Sequence, residues 1–145
     1  HGLTGEAALA ADVLADWRAE TMTRITAAGM LAHWHANEPA PGQLLSARTR
    51  MQLTRVLREA VSNTIRHSGA TQCKVQLEVD ELELRLTVED DGRGLAFAPS
   101  TTRGGHGLPN IERRVRKLGG FHEYQAAIPR GTLLRVNVPL RQGVE

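Results

Sequence analysis

The sequence predicts an α/β two-layer sandwich: a mixed, mostly antiparallel sheet with helices on one face. Three observations predict it. Residues 73–79 and 82–88 alternate apolar and polar side chains as a half-buried hairpin does, and a second pair, 121–127 and 132–140, flanks Pro129-Arg130-Gly131. Helical periodicity leads into the first pair, ending near Ser68, and returns between the pairs from Leu108 to Leu118. Only 3% of the chain is aromatic against 41% hydrophobic overall, so Leu, Val, Ile and Ala must build the interior.

In chain order, residues 3–29 read as a helix, because Leu9, Val13, Leu14 and Trp17 recur near helical spacing and Gly29 supplies a stop. Residues 30–35 alternate Leu31, His33 and His35 against Ala32 and Trp34, a short first strand. His33 and His35 share one face and read as surface residues, Trp17 and Trp34 as core anchors. Pro39 and Pro41 mark 37–42 as a loop. Ser46 is the expected N-cap of a helix that runs to Ser68 and closes at Gly69. Asp80-Glu81 turns the first hairpin. Residues 91–107 hold five glycines, Pro99 and a Ser-Thr-Thr run; a loop this long usually carries function or moves. The helix from Leu108 ends at Gly119-Gly120, and the last strand pair follows.

A length of 145 residues fits one domain with a single two-layer core. Within it, 1–43 form an N-terminal helix, strand and linking loop, and 44–140 the core. A net charge of +2, dispersed and almost all from Arg, argues against nucleic acid, as does the scarcity of stacking aromatics. Arg also suits phosphate. Cys73 is the only cysteine, which excludes an internal disulfide and a cysteine-based zinc cluster and points to a reducing, cytoplasmic setting. No apolar stretch approaches the roughly 20 residues of a membrane span. The start, His1-Gly2-Leu3-Thr4, lacks a signal-peptide pattern and reads as a cut inside a longer protein.

Three short runs carry chemistry. On the helix before Ser68, Leu53, Val56, Leu57, Ala60, Val61 and Thr64 make an apolar arc at 100° steps, and Glu59, Asn63 and His67 line one edge of it. Arg58 and Ser62 lie beyond the other edge, toward solvent. The edge is either a solvated flank with an Arg55–Glu59 ion pair or a site. As a site, the Asn63 carbonyl oxygen completes an oxygen shell around Mg2+. Glu59 accepts or orients a proton near a terminal phosphate. Arg66 and His67 contact phosphate oxygens or cap the helix end.

Asp90-Asp91-Gly92-Arg93-Gly94 follows a strand directly. It is either a plain turn or a base pocket. In the second case Asp90 accepts the exocyclic amine of adenine, and Gly92 and Gly94 let the backbone approach a flat base. Gly105-His106-Gly107 precedes a helix start with Pro109 in its first turn, which makes either a hinge or an anion site. No P-loop and no dinucleotide fingerprint occurs.

In combination these runs resemble the GHKL superfamily (gyrase, Hsp90, histidine kinase, MutL), specifically the ATP-binding domain of a sensor histidine kinase. Residues 58–68 resemble its N box, 90–95 its G1 box, and 105–111 with Arg113 and Arg114 its G2 box. Gly131-Thr132 and 136–140 resemble its final strands, so the likeness covers about 44–140. The wording Gly-His-Gly-Leu-x-Asn and the lack of a separate F box are similar to the subfamily that partners NarL/LuxR-type response regulators.

The resemblance implies the Bergerat fold of histidine kinase ATPases and a Mg-ATP cofactor. Asn63 would coordinate Mg2+, Asp90 would bind adenine, and Gly92, Gly94, Gly105 and Gly107 would shape an ATP lid over 91–107. His106, Leu108, Arg66 and His67 would join the nucleotide site, and Thr132 would support its adenine end. Separately from the resemblance, Arg103 in the same loop is a candidate to help hold the terminal phosphate. Glu59 would serve catalysis, activating water in hydrolysing relatives and assisting phosphoryl transfer to a histidine in kinases. The family's phosphoacceptor, a His followed by an acidic residue, is absent before the N box, and His122-Glu123 lies in a strand. The expected function is therefore the phosphoryl-donor half of a two-component sensor kinase. Its partners would be a separate dimerisation domain and a NarL/LuxR-type regulator. A serine kinase of the anti-sigma-factor kind and a non-catalytic nucleotide sensor on the same fold are the rival readings.

Overall fold

A computed structural model describes residues 6–94 and 107–140. Strand β1 (Ala8–Leu9) leads into helix α1 (Ala10–Ala27), then strand β2 (Leu31–Ala36), the short strand β3 (Leu44–Leu45) and helix α2 (Ala47–Asn63). A π-helical turn (Thr64–Ser68) extends α2. Strands β4 (Gln72–Val79) and β5 (Glu83–Asp90) follow, then α3 (Gly107–Lys117), β6 (Phe121–Ala126) and β7 (Thr132–Pro139).

The main sheet has the order β2-β4-β5-β7-β6. Only β2 and β4 run parallel; the remaining neighbours are antiparallel, as the paired hairpin patterns require. Leu77, Val79, Leu84, Leu86, Val136 and Val138 point to one face and are buried against Leu53, Val56, Leu57 and Val61 of α2, Ile111 and Val115 of α3, and Trp17 and Ile25 of α1. The opposite face keeps Gln76, Glu78, Arg85 and Arg135 in solvent. The expected sandwich is what forms.

Local chemistry explains the element ends. The Ser46 hydroxyl accepts the Thr49 amide at 3.0 Å, an N-cap contact that stabilises α2 by about 1 kcal/mol. Gly69 closes the π-turn in the left-handed region, φ +66°. The Asp80 carboxylate accepts the Leu82 and Glu83 amides, which builds the turn read from Asp80-Glu81.

Four details differ from the sequence reading. Helix α1 begins at Ala10 rather than residue 3, because Ala8 and Leu9 pair with Leu45 and Leu44 in a two-residue ladder; Leu9 is thus exposed rather than part of the helical stripe. Arg58 and Ser62 do not simply face water. Arg58 pairs with Glu20 at 2.8 Å, and Ser62 accepts from Arg24 at 2.6 Å, so this flank holds α1. Trp17 is buried and donates to Thr54 at 2.8 Å, whereas Trp34 packs only partly against the core. The helix from Ser46 widens to π pitch after Asn63, one extra residue per turn that apolar periodicity does not register.

Candidate functional site

The site lies where the end of α2, the exit of β5 and the start of β7 meet. Register pairing sets Asp90 opposite both Cys73 and Thr132. Asp90 is 7% exposed, a buried acid at a strand end. One oxygen accepts the Gly92 amide at 2.8 Å, the other faces the Thr64 hydroxyl at 3.4 Å, and the Thr132 amide also donates to the group. Burial pushes the Asp90 carboxyl above its ordinary value, opposed by those three donors and reinforced by neighbouring Asp91. Such a carboxylate is an acceptor with capacity left over, since two oxygens offer about four lone-pair directions.

The glycines around Asp90 are required by close approach. A Cβ on Gly131, which has φ +107°, would fall 1.8 Å from the Asp90 carbonyl oxygen. A Cβ on Gly92 would fall 2.3 Å from the Ser68 carbonyl oxygen, and Arg93 donates its amide to that same oxygen at 2.8 Å. Gly94, with φ +95°, needs glycine for its backbone conformation. Arg130 fastens the loop from the other side, donating to the Gly92 carbonyl at 2.9 Å.

On α2, Glu59 and Asn63 share one edge and are both half-buried. Among the described residues Glu59 makes no ion pair with Arg55 or any other cation. Its charge nonetheless acts on Tyr124, whose hydroxyl is pushed up first by burial and then by Glu59. The Asn63 side chain has a buried amide nitrogen with no partner among the described residues, and its oxygen meets only Arg66 there, at 3.5 Å. That amide has hydrogen-bonding capacity the protein does not use, and an amide oxygen is a hard donor of the kind Mg2+ takes. These residues fit a Mg-nucleotide. His67 lies beyond the change of helical pitch, half-buried, so the 100° step that aligned it with Glu59 and Asn63 does not set its direction; Arg66 is exposed. Thr132 is half-buried beside Asp90.

Gly107 and Leu108 open α3. Gly105, His106 and Arg103 lie outside the described residues, as does most of the expected lid. Two contributors escaped the sequence reading. Thr64, counted there as part of the apolar arc, turns its hydroxyl to Asp90. Asp91 accepts from Thr71 and Gln72 and so ties the pocket's loop to the start of β4. The doubled acid at a strand end was the available signal for Asp91; none marked Thr64.

Residues 49–142 match the family model described as histidine kinase-, DNA gyrase B-, and HSP90-like ATPase. The signal transduction histidine-protein kinase/phosphatase UhpB of Salmonella typhimurium is 33% identical over 115 residues, 78% of this chain and 21% of that protein. The sensor histidine kinase NarS of Mycobacterium tuberculosis is 39% identical over 90 residues, 60% of this chain and 21% of that protein. This chain therefore spans about a fifth of the length of these relatives. Among solved structures, Acinetobacter baumannii histidine kinase AdeS shares the fold at a TM-score of 0.71 and 19% identity, covering 94% of this chain and 68% of that one. The catalytic domain of histidine kinase ThkA does so at 0.69 and 16%, covering 94% and 97%. The family match spans more than half the chain and includes Asn63, Asp90, Gly92 and Thr132: this protein belongs to the histidine kinase-, gyrase B- and Hsp90-like ATPases.

Proposed function

We propose that the domain binds Mg-ATP and donates the γ-phosphoryl group to a histidine on a separate dimerisation domain, as the catalytic part of a two-component sensor kinase. The single observation that carries the reading is the buried Asp90 carboxylate, held by Gly92, Thr132 and Thr64 with acceptor capacity to spare. An adenine amine satisfies it, and a guanine carbonyl at that position would repel it. Gly92 and Gly131 let their backbones approach those of Ser68 and Asp90 closely, which holds the carboxylate in place.

At the other end, the Asn63 amide oxygen would hold Mg2+, with Arg66 and His67 near the phosphates. Bound there, the ion would supply charge neutralisation at the phosphates. Glu59 stands one turn before Asn63, half-buried and without an ion pair among the described residues, positioned to orient or accept the proton of the attacking group. Gly94, Gly105, His106, Gly107 and Leu108 would close over the phosphates as the lid, with helix α3 offering its N-terminal amides. Similarity to UhpB and NarS supports a sensor kinase as parent, and the Gly-His-Gly-Leu run supports a NarL/LuxR-type regulator as the downstream partner. As the ATP-using part of such a kinase, the domain would work in the cytoplasm.

The test is calorimetry with ATP, with and without Mg2+, on the wild type and Asn63→Ala. The wild type should bind with Mg2+ dependence, and the variant should lose that dependence. Unchanged affinity in Asn63→Ala rejects the metal assignment. Transfer of label from γ-labelled ATP to an added dimerisation domain then checks the kinase activity.

A further inference from the structure

The π-helical turn joins the two ends of the site. Asn63 closes the α-helical part of α2, and Thr64, the next residue, opens the π-turn. Thr64 is 6% exposed. A threonine inside a helix commonly returns its hydroxyl to the carbonyl four residues back. Here the Ser68 hydroxyl donates to the Thr64 carbonyl at 2.6 Å, while the Thr64 hydroxyl donates across to Asp90 Oδ2 at 3.4 Å. Ser68 also accepts the Ala70 amide at 3.0 Å, and its carbonyl receives the Arg93 amide. The turn thus touches the base-side loop at both of its ends.

The terminal torsion of an aspartate is broad and roughly two-fold, so the donors around it decide where the carboxylate plane stands. The Gly92 amide engages Oδ1, the Thr132 amide also donates to the carboxylate, and Thr64 is the side chain that engages it, at Oδ2. We propose that Thr64 is the positioning residue for base recognition: its hydroxyl sets the rotation of the Asp90 carboxylate toward an exocyclic amine, and the π-turn keeps that hydroxyl in register with the Gly92 loop. Residue 64 then governs which base is accepted, and neighbouring Asn63 the metal.

This assignment rests on the nucleotide reading above, so the experiment separates the two. Binding of ATP and of inosine triphosphate, which lacks the amine, is measured with Mg2+ for wild type, Thr64→Val and Thr64→Ser. Thr64→Val keeps the shape and removes the hydroxyl. It should lower the ratio of ATP to inosine triphosphate affinity by about five-fold, the size of one ordinary hydrogen bond, with Mg2+ dependence unchanged. Thr64→Ser should restore the ratio. A role confined to packing would lower the melting temperature and both affinities together, leaving the ratio fixed, and that overturns the proposal. A wild type that binds neither nucleotide instead overturns the function on which it rests.

Discussion

Asp91 takes both the amide of Thr71, at 2.8 Å, and the hydroxyl of the same residue, at 2.5 Å, so the residue after the buried Asp90 clamps the entry of the neighbouring strand. The Gln72 amide adds a third contact at 3.1 Å. Two adjacent carboxylates thus do opposite work. Asp90 faces inward with unused acceptor capacity, and Asp91 spends one oxygen on backbone amides and the other on the side chains of Thr71 and Gln72.

Their pH signatures should differ in sign. The Thr71 hydroxyl first, then the backbone amides of Gln72 and Thr71, hold the Asp91 carboxyl down at about 2, against 3.8 for an ordinary aspartate. A depressed folded value means stability that is fully present above 3.8 and lost as pH falls toward 2. Asp90 works the other way: its raised value makes ionisation cost stability as pH rises through the carboxylate range. Asp91→Ala should therefore cost roughly 0.5–1.5 kcal/mol at neutral pH, solvent screening its contacts, and flatten the acid limb of a melting-temperature profile. An acid limb identical to wild type would show that Asp91 does not carry it.

Substituting Gly131 should be far worse than substituting another left-handed glycine. The Cβ of an alanine there would meet the Asp90 carbonyl oxygen at 1.8 Å and its carbon at 2.7 Å, both backbone atoms of a paired strand. A methyl placed on Gly42, with φ +81°, would meet no described heavy atom within 4 Å. Gly42→Ala should cost about 1 kcal/mol from backbone conformation alone. Gly131→Ala should cost about 3 kcal/mol or more, because strand β7 must leave Asp90. Urea denaturation of the pair measures the difference directly; equal costs would mean that the Gly131 contact relaxes freely.

Much of this was legible in the residues. Alternation in 73–79 and 82–88 gave the hairpin, and the apolar arc of Leu53, Val56, Leu57 and Ala60 gave the buried face of α2. Asp90 was readable only through the combination of the three runs, since an acid before glycine at a strand end is also an ordinary turn. What stayed hidden depends on distance along the chain. The ladder of Ala8 and Leu9 with Leu44 and Leu45 joins residues too far apart for local pattern to reveal. The π-turn changes pitch without changing hydrophobicity, so Thr64 looked like one more core position. Arg58 and Ser62 looked solvated because periodicity assigns a face but not what packs on it.

Cys73 gives a probe of the same pocket. It is fully buried, and register pairing sets it beside Asp90 on β5. Burial pushes its thiol up to about 12 from 9.0; the Asp90 charge adds to this and the Thr64 hydroxyl opposes it. At neutral pH that leaves roughly a thousandfold less thiolate than an unperturbed cysteine holds, and the thiolate is the reactive species. Iodoacetamide should therefore label Cys73 only through opening of the interior strand pair β4–β5, with a rate that climbs in urea as the fold opens. Bound nucleotide would hold Asp90 and Thr64 in place, so saturating Mg-ATP should slow labelling further, by the factor that linkage to the native state requires. Native-state labelling at the rate of a free thiol would show that the floor beneath Asp90 is open to solvent.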